Sequence, residues 1–144
     1  MKVLIVTDAW HPQINGVVRS LTEIGKHAEP FGFAVEYLTP ENYPTVAMPG
    51  YPEIRLALAT PAQIAQEIER RVPDFIHVAT EGPLGILARR YCMKRGRKFT
   101  TSYHTRFPEY LSARLPVPTW PIAAMLRRFH SAAAVTMIST ETLA

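Results

Sequence analysis

Residues 2–20, K-V-L-I-V-T-D-A-W-H-P-Q-I-N-G-V-V-R-S, decide how the chain is read. An apolar run of strand length leads through a loop turning at Asn15-Gly16 into an amphipathic stretch that opens directly after the glycine. The first amides of a helix have no partner within it and lie at its positive end, so this order of parts makes a place to hold an anion. Glycine lets a ligand approach the backbone, but it equally serves a tight turn, so the stretch alone supports both readings. In the helix, Val17, Leu21, Ile24, Ala28 and Phe31 fall on one stripe, with Arg19, Glu23 and Lys26 turned away.

Strand-length apolar runs recur at Val3–Val6, Ala34–Leu38, Phe75–Ala79, Phe99–Tyr103 and Val135–Ile138, with helical stretches between them. Such alternation predicts crossover connections and an α/β fold: a Rossmann-like, doubly wound, mostly parallel sheet with helices on both faces. Thr60-Pro61-Ala62-Gln63 combines an N-cap threonine, a proline at the first helical position and a capping-box glutamine, and Ile64, Ile68 and Val72 then share a buried face. A third helix, Pro83 to Lys94, turns Leu84, Leu87, Ala88 and Tyr91 inward and Arg89, Arg90, Lys94 and Arg95 outward. A fourth, Trp120 to His130, aligns Ile122, Leu126 and Phe129. The proline-rich stretch Pro40 to Pro52 reads as a loop leading into an edge strand at Glu53 to Ala57. After Val135–Ile138, Ser139 resembles a helix N-cap about one turn from Ala144, which predicts that the chain is the front part of a longer protein.

The 144 residues are one domain's worth. Cys92, the single cysteine, has no partner for an internal disulfide and fits a reducing compartment. The apolar run after Met1 is too short for a signal peptide and none reaches membrane-span length, which points to a soluble, cytoplasmic protein. Charge is split along the chain: residues 1–82 carry six Lys/Arg against ten Asp/Glu, and residues 83–130 carry ten against Glu109 alone. The basic half fits a phosphorylated substrate, an anionic membrane or nucleic acid, or is a solvated face with no specific partner.

In an open parallel sheet, ligands collect beyond the carboxyl ends of the strands, where strand order reverses. Three post-strand loops should meet there: Asp8 to Gly16, Thr80-Glu81-Gly82-Pro83-Leu84-Gly85, and His104-Thr105-Arg106-Phe107-Pro108-Glu109-Tyr110. His104 at a strand end can donate to a sugar hydroxyl or phosphate, act as acid or base, or simply cap the strand. Glu81 can orient an acceptor or accept backbone hydrogen bonds, and Arg106 can neutralise phosphate or pair with Glu109. His77, inside an apolar strand, reads as a packed and satisfied core residue. His11, His27 and His130 lack metal-ligand spacing. The dinucleotide fingerprint, the P-loop and the hydrolase nucleophile elbow are all absent.

T-D-A-W-H-P-Q-I-N-G-V, T-E-G-P-L-G and Y-H-T-R-F-P-E-Y, in that order, resemble the amino-terminal domain of glycosyltransferase family 4. They are most similar to members that glycosylate lipids, such as bacterial lipid mannosyltransferases and the sulfolipid synthase group. The resemblance implies a GT-B architecture, with residues 1–144 as the acceptor-side domain and the donor-binding carboxy-terminal domain absent. It implies a retaining transferase moving a hexosyl group, of mannose or glucose type, from a nucleoside-diphosphate sugar to a lipid or other hydroxyl acceptor, with neither metal nor cofactor. By position, Gly16 with Asn15 matches the donor-diphosphate loop and His104 the histidine beside the transferred sugar. Glu81 and Gly82 match the loop lining the acceptor side, and Asp8, Trp10 and Arg106 are assigned to that side with them. Basic residues including Arg89, Arg90, Arg95, Arg97, Arg127 and Arg128, interleaved with Trp120 and Phe129, suit peripheral docking on the anionic inner face of the plasma membrane. The rivals are a non-catalytic membrane-docking or anion-binding module and, ranked last for want of a recognition motif, a nucleic-acid binder.

Overall fold

In a computed structural model of the chain, the residues described are 1–10, 16–48, 51–103 and 119–138. The β-branched and apolar runs become a parallel sheet of five strands: β1 (Lys2–Val6), β2 (Ala34–Leu38), β5 (Phe75–Val78), β6 (Thr100–Tyr103) and β7 (Val135–Ile138). Their spatial order is β2-β1-β5-β6-β7, and every pairing is parallel. The fold is therefore α/β and Rossmann-like, as the alternation of runs predicts. The chain leaves β1 toward β2 on one side and later returns to place β5 on the other, so strand order reverses between β1 and β5.

The helices α1 (Gly16–Ala28), α2 (Pro61–Arg71), α3 (Pro83–Arg95) and α4 (Thr119–Ser131) divide the apolar residues into two clusters. On one face Leu4, Val6, Leu38, Ile76 and Val78 pack with Ile64 and Ile68 of α2, Leu84 and Ala88 of α3 and Phe129 of α4. On the other, Ile5 and Ala79 meet Leu21 of α1, with Val3, Trp10, Val17, Val35 and Tyr37 around them.

Where α1 rests on the sheet, the observed register differs from the expected stripe. Val18 and Leu21 are buried, whereas Ile24 and Phe31 are exposed. Gly25 faces the sheet in place of Ile24, because Tyr37 fills the space a Cβ would need there and donates its hydroxyl to the Leu21 carbonyl at 2.8 Å. A second correction concerns α2. Its capping box forms as expected, Gln63 N to Thr60 Oγ1 at 3.2 Å and Thr60 N to Gln63 Oε1 at 2.9 Å. Val72, however, is not on the buried face: it lies beyond the helix in a left-handed conformation (φ 48°) and is exposed. Pro73 follows it and disfavours a further helical residue.

The proline-rich stretch is more ordered than a loop. A 3-10 turn at Pro40–Asn42 leads into β3 (Thr45–Met48), which pairs antiparallel with β4 (Tyr51–Ala57) as a separate two-stranded sheet. His77 is buried as expected, its ring nitrogens 2.7 Å from Thr100 Oγ1 and 3.1 Å from Ser102 Oγ. Cys92 is buried, and burial pushes its thiol up to about 11, so it acts as a packed apolar group.

Candidate functional site

The crevice beyond β1 and β5 is built around Asp8. This residue leaves β1 and carries its carboxylate to the amino end of α3, where Oδ1 accepts from Leu84 N at 2.7 Å and Oδ2 from Gly85 N at 3.3 Å. Thr80 closes the arrangement: its hydroxyl donates to Oδ2 at 2.7 Å and accepts from the Asp8 amide at 2.7 Å. An anion at a helix amino terminus meets both orphan amides and the positive end of the dipole. Asp8 is buried, and burial raises its carboxyl above the ordinary value of 3.8, opposed by the Thr80 hydroxyl and by the amides of Leu84, Gly85 and Gly82. Gly82 allows this approach, since a Cβ there would run into the Asp8 carboxylate.

Two further predicted residues flank the crevice. Trp10 stacks at a tilt on Tyr37, ring centroids 4.5 Å apart, which seats its indole where the loop after β1 begins. Glu81, in the loop between β5 and α3, accepts at Oε1 from the Nε2 side of His130 across 2.7 Å. His130 in turn places Nδ1 2.8 Å from Thr101 Oγ1, and that hydroxyl lies 2.9 Å from Thr136 Oγ1. Loop, sheet and α4 are thus joined at the rim by one polar chain. Gly16 opens α1, so the helix begins where the sequence places it. Asn15, His104 and Arg106 lie outside the described residues, as does the whole loop, 104–118, that carries the last two.

His130 is the residue that spacing misses. It stands 49 positions from Glu81 and shows no local motif; only the helical phase of α4, which buries Leu126 and Phe129 beside it, carries a hint. Among the described residues no group of three His, Cys, Asp or Glu side chains is placed to hold a metal, and no helix is long and apolar enough to cross a membrane.

The basic half resolves into two populations. Arg89 is not turned outward: its Nε donates to the Phe129 carbonyl at 2.8 Å and its Nη2 to the Arg128 carbonyl at 2.9 Å, binding α3 to the end of α4. Arg95 pairs with Glu69 at 2.9 Å, Arg97 donates to the Pro73 carbonyl at 2.7 Å, and Phe129 belongs to the core. Arg90, Lys94, Arg127 and Arg128 stay exposed, and so do Ile86, Met93, Trp120 and Met125.

The family model for Glycosyltransferase Family 4 matches residues 14–144. The chain belongs to glycosyltransferase family 4. Its parallel sheet is accordingly that of a GT-B glycosyltransferase domain, and family 4 membership brings a nucleotide-sugar donor and an acceptor. No curated protein matches the chain. Within this family 4 domain, Asp8 and Trp10 follow β1 and Glu81 and Gly82 follow β5, the two strands between which the order reverses, and Gly16 opens the helix after β1.

Proposed function

We propose that this domain is the acceptor-side half of a retaining, metal-independent glycosyltransferase that moves a hexosyl group from a nucleoside-diphosphate sugar to a lipid or other hydroxyl acceptor. The observation that carries the reading is the reversal of strand order between β1 and β5, with α1 opening at Gly16 after the first strand and the Glu81-Gly82 loop following the second. In this reading the Gly16 amide, with Asn15, helps neutralise the donor diphosphate, as orphan amides at a helix start do. His104 stabilises charge beside the transferred sugar, while Glu81, Gly82, Trp10, Asp8 and Arg106 line or shape the acceptor side.

The lipid assignment is supported by the exposed α3 and α4 residues, which combine Arg90, Lys94 and Arg127 with Met93, Trp120 and Met125. Basic and apolar side chains together suit an anionic leaflet at which a lipid acceptor resides, and they motivate a peripheral place on the inner face of the plasma membrane. Transfer is tested with nucleoside-diphosphate hexoses and lipid or sugar acceptors, with the anomeric configuration of the product read by NMR. His104→Ala should lower turnover by about 100-fold or more with the fold intact, the scale of losing a transition-state hydrogen bond. Unchanged turnover removes His104 from the mechanism, and binding to phosphatidylglycerol vesicles without any transfer favours the non-catalytic module.

A further inference from the structure

We infer that His130 is a positioning residue for acceptor recognition: through Nε2 it fixes the Glu81 carboxylate at the rim of the crevice, and Thr101 and Thr136 hold its ring for that task. The inference rests on the proposed transfer reaction and assigns it a residue from a different part of the chain. Glu81 is a short loop's only carboxylate, and a loop side chain left to itself samples several rotamers at an entropic cost to any ligand that must select one. Here the choice is made in advance. His130 and Glu81 are both largely shielded, with side-chain exposures of 13% and 19%, and Oε1 lies 2.7 Å from Nε2. Among the described residues Oε2 takes no hydrogen bond, which leaves an acceptor site for a substrate hydroxyl.

Among the described residues the ring is held at Nδ1 as well, and the helix that carries it is tied down by its neighbours. Thr101, fully buried on β6, meets Nδ1, and Thr136 on β7 meets Thr101. Arg89 clamps the same turn of α4 through the Arg128 and Phe129 carbonyls. An ionised carboxylate only accepts, so Nε2 must carry the proton that points at Glu81. In the neutral ring Nδ1 then accepts from the Thr101 hydroxyl, which accepts from Thr136. In the charged ring Nδ1 donates to Thr101, Thr101 donates to Thr136, and Thr136 turns to the His130 carbonyl, 3.5 Å away. The bond to Glu81 keeps the same direction in both, which suits a positioning device.

Asparagine and glutamine separate the two ends of the imidazole, since the Asn amide reaches the Nδ1 position and the Gln amide the Nε2 position. Steady-state kinetics of the full protein, with donor and acceptor varied independently, are measured for His130→Asn, His130→Gln and Glu81→Gln. His130→Asn should raise the acceptor KM about 10-fold, the scale of one lost charge-assisted hydrogen bond, with kcat and donor KM nearly unchanged. His130→Gln should restore the acceptor KM to within about 3-fold of wild type, and adding His130→Asn to Glu81→Gln should raise it little further. A folded His130→Asn protein with wild-type acceptor KM overturns the inference, as do equal losses in both His130 variants accompanied by equal falls in melting temperature, the signature of a purely structural role. No transfer by the wild-type protein with any donor overturns the proposed reaction and this inference together, whereas transfer indifferent to His130 overturns this inference alone.

Discussion

The two faces of the central sheet are packed differently. Toward α2, α3 and α4 the side chains form one continuous apolar cluster, from Leu4 and Val6 through Ile76 and Val78 to Ile64, Ile68, Leu84 and Phe129. Toward α1 the cluster among the described residues is small and ends near β5. Beyond it the same face turns polar at His77, Thr100 and Ser102, and its apolar members Phe75, Val135 and Met137 are 49%, 57% and 50% exposed. Burial of apolar surface is the main stabilising term, so stability is concentrated on the first face. The second face contributes the more polar end of the sheet. Asp8 stands where the two meet, at the rim.

Substitutions can break or sharpen this contrast. Leu84→Ala, at a site with no exposure, should cost about 3 kcal/mol by denaturant unfolding, because a cavity in the continuous cluster cannot collapse. A loss below about 1 kcal/mol would mean that this face is loosely packed after all. Asp8→Asn should cost about 1–2 kcal/mol at neutral pH, because an amide nitrogen then confronts the donors of Thr80, Leu84 or Gly85.

The same variant isolates a pH dependence. Burial raises the Asp8 carboxyl in the folded chain, so the folded state keeps this proton to higher pH than the unfolded one. Asp8's protonation-linked stability is therefore fully present below 3.8 and is lost as pH rises through the folded-state value. Unfolding measured across that window should show wild type losing stability relative to Asp8→Asn as pH rises; parallel curves would remove Asp8 as the cause. Smallest of all, Met137→Thr on the open face should change stability by no more than about 0.5 kcal/mol. A loss several times larger would show that this face is packed as tightly as the other.

Local chemistry made much of this legible in the sequence. The five parallel strands follow the β-branched runs almost to the residue, and the α2 cap follows Thr60, Pro61 and Gln63. Reading failed where tertiary contacts choose among equal local options. Gly25 displaced Ile24 from the buried side of α1 because Tyr37 arrives from a different element. The strand expected at Glu53 to Ala57 is there as part of β4, but its partner β3 and their separation from the main sheet were hidden by the prolines around them; Pro52 is tolerated because this pair lies outside the main sheet. Arg89 looked like a surface charge because its partners, the carbonyls of α4, are 39 and 40 positions away. At the site, the loops after β1 and β5 were readable as a rim, whereas the Glu81–His130 pair depends on how α4 comes to lie beside that rim.

The remote cap of α3 links the crevice to the cooperativity of the whole domain. Leu84 N finds its acceptor on a residue 76 positions earlier, so the helix cannot complete its first turn until β1 lies beside β5. Fraying that turn alone would strand a buried carboxyl group and the amides it caps, so the rim should open only when the sheet does. Hydrogen exchange at the Leu84 amide reports this directly: protection equal to that of the slowest strand amides ties the rim to global unfolding, and faster exchange separates them.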